Sequence, residues 1–337
     1  MWTHDQRSRW FTASGLAIGR RSGPVGAGAE AVDAVLRGLG QVMLQNNSYA
    51  GLLFLIGLFW NSWLFAVAAL VGTVAATATA WLMDAQRADI RAGLYGFNGA
   101  LVGIGLLYFL HPVVLTWIYV IVAAGCSTVV MAALSRWLDA WRTPALTAPF
   151  VITTLLFILA CARLGRLQVT DVLPVAGLPQ ATTVQGVVTA ATLAHGLFTG
   201  VAQVFFQGSL MTGVFFLLGL LVSSRSACAA ALLGSIGGML VAWALGASEP
   251  AIRAGAFGFN PVLTAIALGS GCFLKGAWSW AYALLGVVVT TVVYAALSAA
   301  LEPLGMPALT APFVLVVWLF LMASPRFSRL CSAADAA

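Results

Sequence analysis

The sequence predicts an all-α polytopic membrane protein built from two transmembrane repeats. Three observations indicate this class. Apolar residues make up 61% of the chain and charged residues only 8%, whereas soluble domains carry about 25% charged residues. Apolar runs at 63–83, 112–134 and 276–301 are long enough to span a bilayer, which takes about 20 residues of helix. Finally, the second half of the chain repeats the first.

The repeat consists of sequence blocks that recur at a nearly constant distance. Three blocks return after 162 residues and a fourth after 163. These blocks are Gln41-Val42-x-x-Gln45 with Gln203-Val204-x-x-Gln207, the Gly and Phe pattern of 51–58 with 213–220, Arg91-Ala92-Gly93-x-x-Gly96-Phe97-Asn98 with 253–260, and 128–135 with 291–298. The heptapeptide Pro-Ala-Leu-Thr-Ala-Pro-Phe then follows in both halves, at 144–150 and at 307–313. Shared composition alone does not produce one spacing across several blocks, so we interpret the halves as structural copies.

Each repeat is expected to contain about five transmembrane crossings and one re-entrant half-helix. In the first repeat, the expected crossings are 33–59 with a break near Gly51, 63–83, 97–111, 112–134 and 149–164. An odd number of crossings reverses the orientation of the second copy. We therefore expect two inverted repeats with a pore between them, an arrangement in which binding sites usually lie near the bilayer midplane.

This organisation predicts five parts along the chain: a polar basic arm at 1–30, repeat 1 at 31–165, a linker at 166–190, repeat 2 at 191–324 and a tail at 325–337. The arm and the tail are rich in arginine, at Arg7, Arg9, Arg20, Arg21, Arg326 and Arg329. Because basic residues favour the cytoplasmic side, we expect both termini there and the protein in the cytoplasmic (inner) membrane.

Each heptapeptide begins with a proline, which should end any helix that precedes it. We expect the segments that lead in, 133–143 and 296–306, to be short helices that do not complete a crossing and whose last carbonyl groups lack an intrahelical partner. At membrane depth, such backbone is tolerated only when it is buried in protein or lines an aqueous cavity. The candidate pore acceptors are the carbonyl oxygens of Pro144, Ala145, Leu146, Pro307, Ala308 and Leu309, with the hydroxyl groups of Thr147 and Thr310 beside them. A proline motif that only kinks a helix is the alternative.

The two heptapeptides resemble the Leu/Met-Pro-x-x-Thr-x-Pro-Phe motif of the urea transporter family. Both copies match from the first proline onward, while Thr143 and Met306 stand at the preceding position, where the family usually has Leu. The Gln-Val block followed by Asn46-Asn47 and the two Gly-Phe-Asn blocks are similar to the same family. The resemblance extends over 31–324 and implies a homotrimer in which every subunit holds its own urea pore, lined by two rows of carbonyl oxygens.

The resemblance also implies roles for individual side chains. Phe97 and Phe259 would form an aromatic slot, and Gln41 and Gln203 would line its two mouths. Some members of the family have Glu at the position of Gln203 and a further aromatic residue at the position of Leu44. The residues expected next to the pore are Leu44, Leu101, Val204 and Phe206. Ordinary helix packing is the alternative for the phenylalanines, and interhelical hydrogen bonding is the alternative for the glutamines.

The expected function is the passive and selective passage of urea, with lipid and further copies of the chain as the only other partners. An ion-coupled secondary transporter, or a channel for another small neutral solute such as a short-chain amide or ammonia, remains an alternative. Coupled transporters usually carry ionisable residues within the membrane. In this chain, acidic residues lie near the ends of predicted segments, among them Asp84, Asp89, Asp139, Asp171, Glu249 and Glu302.

Other functional classes lack their motifs in this sequence. It contains no HExxH, GxSxG or CxxC motif, and its five cysteines are isolated from one another. We therefore expect neither an enzyme nor a bound cofactor or metal. The net charge of +6 is scattered over loops, which does not indicate a nucleic-acid surface.

Overall fold

The computed structural model describes residues 24–179, 183–271 and 276–330. Residues 1–23 of the basic arm predicted at 1–30, with its four arginines, lie outside the described residues. The same holds for part of the inter-repeat linker, for Cys272 and for the end of the tail. Apart from one isolated β-bridge between Leu110 and Val169, the described residues form helices and loops without a strand. This confirms the all-α class.

Seven α-helices make up the first half of the described chain. They are α1 (Pro24–Gln41), α2 (Ser48–Asn61), α3 (Trp63–Leu82), α4 (Arg87–Arg91), α5 (Gly96–Phe109), α6 (Val114–Leu138) and α7 (Ala148–Cys161). A 3₁₀ turn at Asp139–Trp141 extends α6.

The second half of the described chain contains the same series. Its helices are α8 (Ala190–Ala202), α9 (Leu210–Ser223), α10 (Arg225–Ala244), α11 (Glu249–Arg253), α12 (Phe259–Ile266), α13 (Ala277–Leu301) and α14 (Ala311–Ala323). A shift of 162 residues superimposes the bounds of α2, α3 and α4 on those of α9, α10 and α11, and a shift of 163 does the same for α6 and α13. The sequence repeat is therefore also a repeat of secondary structure.

The break in the first crossing lies at 42–47 rather than near Gly51, where the sequence predicts it. Asn47 ends the break because its side chain accepts hydrogen bonds from the backbone N–H groups of Tyr49 and Ala50 and so caps α2. Gly51 lies inside α2, where a Cβ would collide with the carbonyl oxygen of Leu36 in α1. This glycine allows close helix packing and does not interrupt the helix. At the equivalent break in the second half, the chain bends by 73°.

Helix length distinguishes two groups of apolar helices. Among the described residues, four helices are long and apolar enough to cross a membrane, or five if the bent pair from Ala190 to Ser223 counts as one span. The long helices are α3 (Trp63–Leu82), α6 with its 3₁₀ extension (Val114–Trp141), α10 (Arg225–Ala244) and α13 with its 3₁₀ extension (Ala277–Leu304). The other apolar helices, such as α5 and α7 with 14 residues each, are about 21 Å long at 1.5 Å per residue. The long helices alone are therefore fewer than the five crossings expected in each repeat.

The segments that lead into the heptapeptides are not separate short helices, contrary to the sequence-based expectation. Residues 133–138 continue α6, and 296–301 continue α13, each within a helix of 25 residues. No helix-breaking residue separates them from the spanning segment before them, since the first proline comes later, at Pro144 and at Pro303. Each long helix therefore ends a few residues before its heptapeptide.

Close glycine contacts fix the helix that begins with the Gly-Phe-Asn block. At Gly72 of α3, a Cβ would collide with the carbonyl oxygen of Gly99 in α5. The turn before α5 contains Gly93 with a φ of +74°, and a Cβ there would collide with the backbone of Gly38 in α1. The equivalent residue in the second half, Gly255, has a φ of +77°. In each half, the helix thus starts from a backbone geometry that favours glycine.

The described helices form two compact units. One contains the described residues up to Leu138 together with Ala145–Leu173, and the other contains Asp139–Pro144 together with the described residues from Pro174 onward. Large apolar side chains remain exposed along the long helices, among them Val114, Ile118 and Ile121 of α6 and Leu285 and Val288 of α13. Exposed apolar side chains on helices of spanning length suit an integral membrane protein.

Candidate functional site

Each heptapeptide leads into a short apolar helix and includes its first residues. Pro149 and Pro312 occupy the first turns of α7 and α14, where the missing N–H of proline has no cost. The leucine before the threonine adopts a left-handed backbone conformation in both copies, with a φ of 53° at Leu146 and 49° at Leu309. Because leucine rarely adopts this conformation, the surrounding contacts must hold it in place.

An asparagine holds the left-handed turn in the first half. Asn98 donates from Nδ2 to the carbonyl oxygen of Leu146 at 3.4 Å, and its Oδ1 accepts from the backbone N–H of Phe150 at 3.0 Å. Its side chain is fully buried. One amide group thus connects the turn to the first turn of α7.

The second half contains the same arrangement. Asn260 donates to the carbonyl oxygen of Leu309 at 3.0 Å and accepts from the backbone N–H of Phe313 at 3.2 Å. In the sequence, Asn98 and Asn260 stand out only as members of a repeated block. The sequence signal for these residues was their exact recurrence after 162 residues. Their hydrogen-bond partners lie about fifty positions further along the chain and cannot be identified from the spacing.

The carbonyl oxygens of the first alanine in each heptapeptide have protein partners. Ala145 accepts from the N–H of Ala148 at 3.2 Å, and Ala308 accepts from the N–H of Ala311 at 3.1 Å. A carbonyl oxygen has two lone pairs, so one such bond leaves capacity for another donor. The reason given from the sequence, unpaired carbonyls at the end of the preceding helix, must therefore be replaced. These oxygens belong to the entrance of the following helix and can act as second acceptors.

One contact distinguishes the two copies. The indole Nε1–H of Trp318, in α14, donates to the carbonyl oxygen of Pro144 at 2.9 Å, within one compact unit. The equivalent position in the first half is Leu155, whose side chain has no donor. The first copy is therefore bonded more extensively than the second at its initial proline, a difference that the sequence did not predict.

The two glutamines expected at the mouths make equivalent bonds inside their own halves. Gln41 donates from Nε2 to the carbonyl oxygen of Ala92 at 2.9 Å, and Gln203 donates to that of Ala254 at 3.1 Å. Gln41 is buried, whereas Gln203 is partly exposed. Each glutamine ties the end of the first helix of its half to the turn before the Gly-Phe-Asn block, so hydrogen bonding between elements is at least part of its role.

The phenylalanines of these blocks differ in their surroundings. Phe97 is buried, at 4% exposure, whereas Phe259 is partly exposed. The ring of Phe259 packs edge-on against Tyr294 of α13, with ring centroids 5.5 Å apart, an arrangement that aromatic pairs prefer. Position 131, the equivalent of Tyr294 in the first half, is Met. The two aromatic positions are thus equivalent in sequence but not in packing.

The four positions expected beside the pore include both left-handed residues of the Gln-Val turns. Leu44 has a φ of 61° and Phe206 a φ of 60°. The next residue stabilises each turn, because the amide of Gln45 donates to the carbonyl oxygen of Met43 at 2.8 Å and that of Gln207 to Phe205 at 2.7 Å. The remaining two positions are fully or almost fully buried, Leu101 in α5 and Val204 in the 3₁₀ turn after α8.

These bonds connect the repeated sequence blocks of each half into one framework. The Gln-Val block contacts the Arg-Ala-Gly turn, that turn leads into the Gly-Phe-Asn block, and the asparagine of that block holds the heptapeptide. The repeated blocks are therefore the contact points of one local structure that occurs twice. The side chains described above that bond to the heptapeptides are uncharged amides and an indole.

The charged groups that contact the first Gln-Val turn lie mainly in α1, the helix before it. Arg37 pairs with Asp33 at 2.6 Å and donates to the backbone and side-chain oxygens of Asn46, both at 2.9 Å. Both side chains of the pair are largely buried. In the second half, the positions of Asp33 and Arg37 are taken by His195 and Thr199, which both contact the carbonyl oxygen of Arg253. In the parts of the chain that the structure describes, no cluster of His, Cys, Asp or Glu has the size of a metal site.

Comparison with known proteins identifies the family. The urea transporter family model matches residues 32–325. Among individual proteins, the chain is 33% identical over 300 residues to urea transporter 1 of sheep (Ovis aries), which covers 88% of this chain and 77% of the sheep protein. Urea transporter 1 of goat (Capra hircus) matches with the same identity and coverage, and that of mouse (Mus musculus) is 32% identical over the same length. This chain belongs to the urea transporter family.

Proposed function

We propose that this integral membrane protein is a passive and selective urea channel. The observation that carries the proposal is the duplicated framework, in which two identical carbonyl-bearing turns are held by uncharged side chains in a chain of the urea transporter family. Relatives that share about a third of its residues are named as urea transporters. Facilitated diffusion needs no catalytic group, which agrees with membership of a family of transport proteins.

The chemistry of the turns suits a flat and neutral amide. Urea offers several N–H donors, and carbonyl oxygens that retain a lone pair can accept them while the solute sheds its water. Each such bond contributes only about 0.5–1.5 kcal/mol net after exchange with water, so a row of acceptors gives shallow sites that permit fast transit. An ion would lose several kcal/mol of hydration in the same surroundings, without an opposite charge to replace it.

The site residues of this proposal are those expected from the sequence. The carbonyl oxygens of the two heptapeptides and the hydroxyl groups of Thr147 and Thr310 take the solute's N–H groups, with Phe97 and Phe259 bordering its plane. Gln41 and Gln203 line the mouths through the part of the amide that the bonds to Ala92 and Ala254 leave available. The matching helix bounds of the two halves agree with the same set of site residues occurring in each half.

The assembly and its orientation are part of the same proposal. We expect a homotrimer in the cytoplasmic membrane, with one pore per subunit, inverted repeats and both termini in the cytoplasm. Exposed apolar side chains on α6 and α13 provide surface for lipid or for neighbouring subunits. Cross-linking of the purified protein in lipid nanodiscs tests the subunit number, and protease access to the basic arm in oriented vesicles tests the topology.

Urea efflux from proteoliposomes, measured by stopped-flow light scattering, tests the function itself. We expect fast urea flux that is unchanged by Na⁺ or H⁺ gradients, and slower flux of acetamide. A strict requirement for an ion gradient would make the protein a coupled transporter. Absence of urea flux, with rapid flux of ammonia or of a short-chain amide, would identify a channel for a different solute.

A further inference from the structure

We infer that Asn98 and Asn260 are positioning residues that set the acceptor geometry of the two heptapeptides. The inference rests on the proposed function, because the geometry in question is that of the oxygens that would meet urea. It assigns to the asparagine of each Gly-Phe-Asn block a role that differs from both solute contact and general packing.

The backbone of each turn is strained at its leucine. Leu146 and Leu309 adopt the left-handed conformation, which costs an L-residue free energy and persists only where the surroundings determine it. The carbonyl oxygen of each leucine accepts a hydrogen bond from the asparagine Nδ2. That bond fixes the plane of the peptide that follows the leucine, and therefore the direction of the threonine that comes next.

The helices that follow the turns are capped from a distance. The residue before a helix usually caps it with its own side chain, as Asn47 and Ser209 do for α2 and α9. Thr147 and Thr310 occupy this position at α7 and α14, yet neither side chain caps its helix. The asparagine Oδ1 instead accepts from the backbone N–H of the third residue of each helix, Phe150 and Phe313.

These two bonds give one side chain two tasks in each half. The distant asparagine caps the helix, which the side chain of Thr147 or Thr310 does not do. The same asparagine also holds the leucine carbonyl, so one amide group fixes both the turn and the start of the helix that follows. The duplication of all four bonds, at residues 162 or 163 positions apart, argues against a chance contact.

The test compares Asn98→Ala and Asn260→Ala with Asn47→Ala as the matched control. Asn47 is also a buried asparagine that caps a helix, but α2 does not carry a heptapeptide. We expect all three variants to lower the melting temperature. Only Asn98→Ala and Asn260→Ala should also lower urea flux per folded protein by about tenfold, equivalent to about 1.4 kcal/mol of barrier, and change the flux ratio of urea to methylurea.

Two further measurements keep the inference testable if a variant folds poorly or if the wild-type protein conducts no urea. Asn98→Leu keeps the side-chain volume and so avoids the cavity of Asn98→Ala, but it loses both hydrogen bonds, so we expect it to fold and still to conduct urea more slowly. Hydrogen exchange, measured without any solute, should show lost protection of the Phe150 amide in Asn98→Ala but not in Asn47→Ala.

The outcomes separate the two claims. Wild-type protein without urea flux would overturn the proposed function, and hydrogen exchange would then decide whether the asparagine positions the turn. Normal flux and an unchanged solute ratio in well-folded Asn98→Ala and Asn260→Ala would overturn the positioning role, as would unchanged protection of the Phe150 amide.

Discussion

Replacing Trp318 by phenylalanine tests whether the first residue of the heptapeptide takes part in solute binding. In the wild-type protein, the indole N–H donates to the carbonyl oxygen of Pro144 at 2.9 Å. Phenylalanine retains an aromatic ring but has no donor. Leucine occupies the equivalent position of the first half, at Leu155, so the repeat accommodates an apolar side chain there.

The magnitude of the effect follows from that single bond. A neutral hydrogen bond contributes about 0.5–1.5 kcal/mol net, and about 1 kcal/mol shifts the melting temperature of a chain of 150–250 residues by roughly 2–4 °C. We expect Trp318→Phe to lower the melting temperature by no more than a few degrees. The oxygen of Pro144 then has both lone pairs available, and one additional hydrogen bond from a solute N–H would tighten binding about 2- to 12-fold.

The assay is stopped-flow urea efflux over a range of urea concentrations, with Trp243→Phe as control because Trp243 is an exposed tryptophan of α10. We expect the half-saturating urea concentration to fall in Trp318→Phe and to stay unchanged in Trp243→Phe. A lower melting temperature with unchanged half-saturation would show that the oxygen of Pro144 does not meet the solute. No change in either quantity would mean that the indole bond contributes nothing.

Three further predictions concern other parts of the framework. Thr147→Val and Thr310→Val remove a hydroxyl without changing side-chain size, so urea flux should fall about 2- to 12-fold per site for one lost hydrogen bond. Gel filtration should show unchanged assembly. Normal flux in both variants would exclude solute contact by these hydroxyl groups. Phe259→Ala should raise the flux of methylurea relative to urea, and an unchanged ratio would count against the aromatic slot. Gly51→Ala should abolish monodisperse protein, because its Cβ would meet a backbone carbonyl oxygen of α1, whereas Gly28→Ala, with open space around it, should behave as wild type.

The sequence predicted the class and the duplication of this fold because both are properties of composition and spacing. One offset correctly related helix bounds in the two halves, for example those of Ser48–Asn61 and Leu210–Ser223. It could not locate the break in the first crossing, because a glycine such as Gly51 can either interrupt a helix or permit close packing. Only the position of α1 relative to α2 shows that packing is the reason for this glycine.

The residues proposed for the site come from the sequence, but their hydrogen-bond partners could not be predicted from it. The prolines of the heptapeptide indicated irregular backbone, yet the partner of each carbonyl oxygen depends on tertiary contacts. Asn98 lies 48 positions before Leu146, and Trp318 lies 174 positions after Pro144. Separations of this size leave no local pattern in a single sequence. The same holds for the tie between Gln41 and Ala92, 51 positions apart.

The most direct test of the central claim is the location of bound solute. Crystals of the protein soaked with selenourea, an analogue of urea with an anomalous scatterer, should show selenium beside the heptapeptide oxygens of both halves, near Ala145 and Ala308. We predict a site at each copy, with the neighbouring amide groups of the solute directed at those oxygens. Selenium sites elsewhere in the protein, with neither heptapeptide occupied, would contradict the claim.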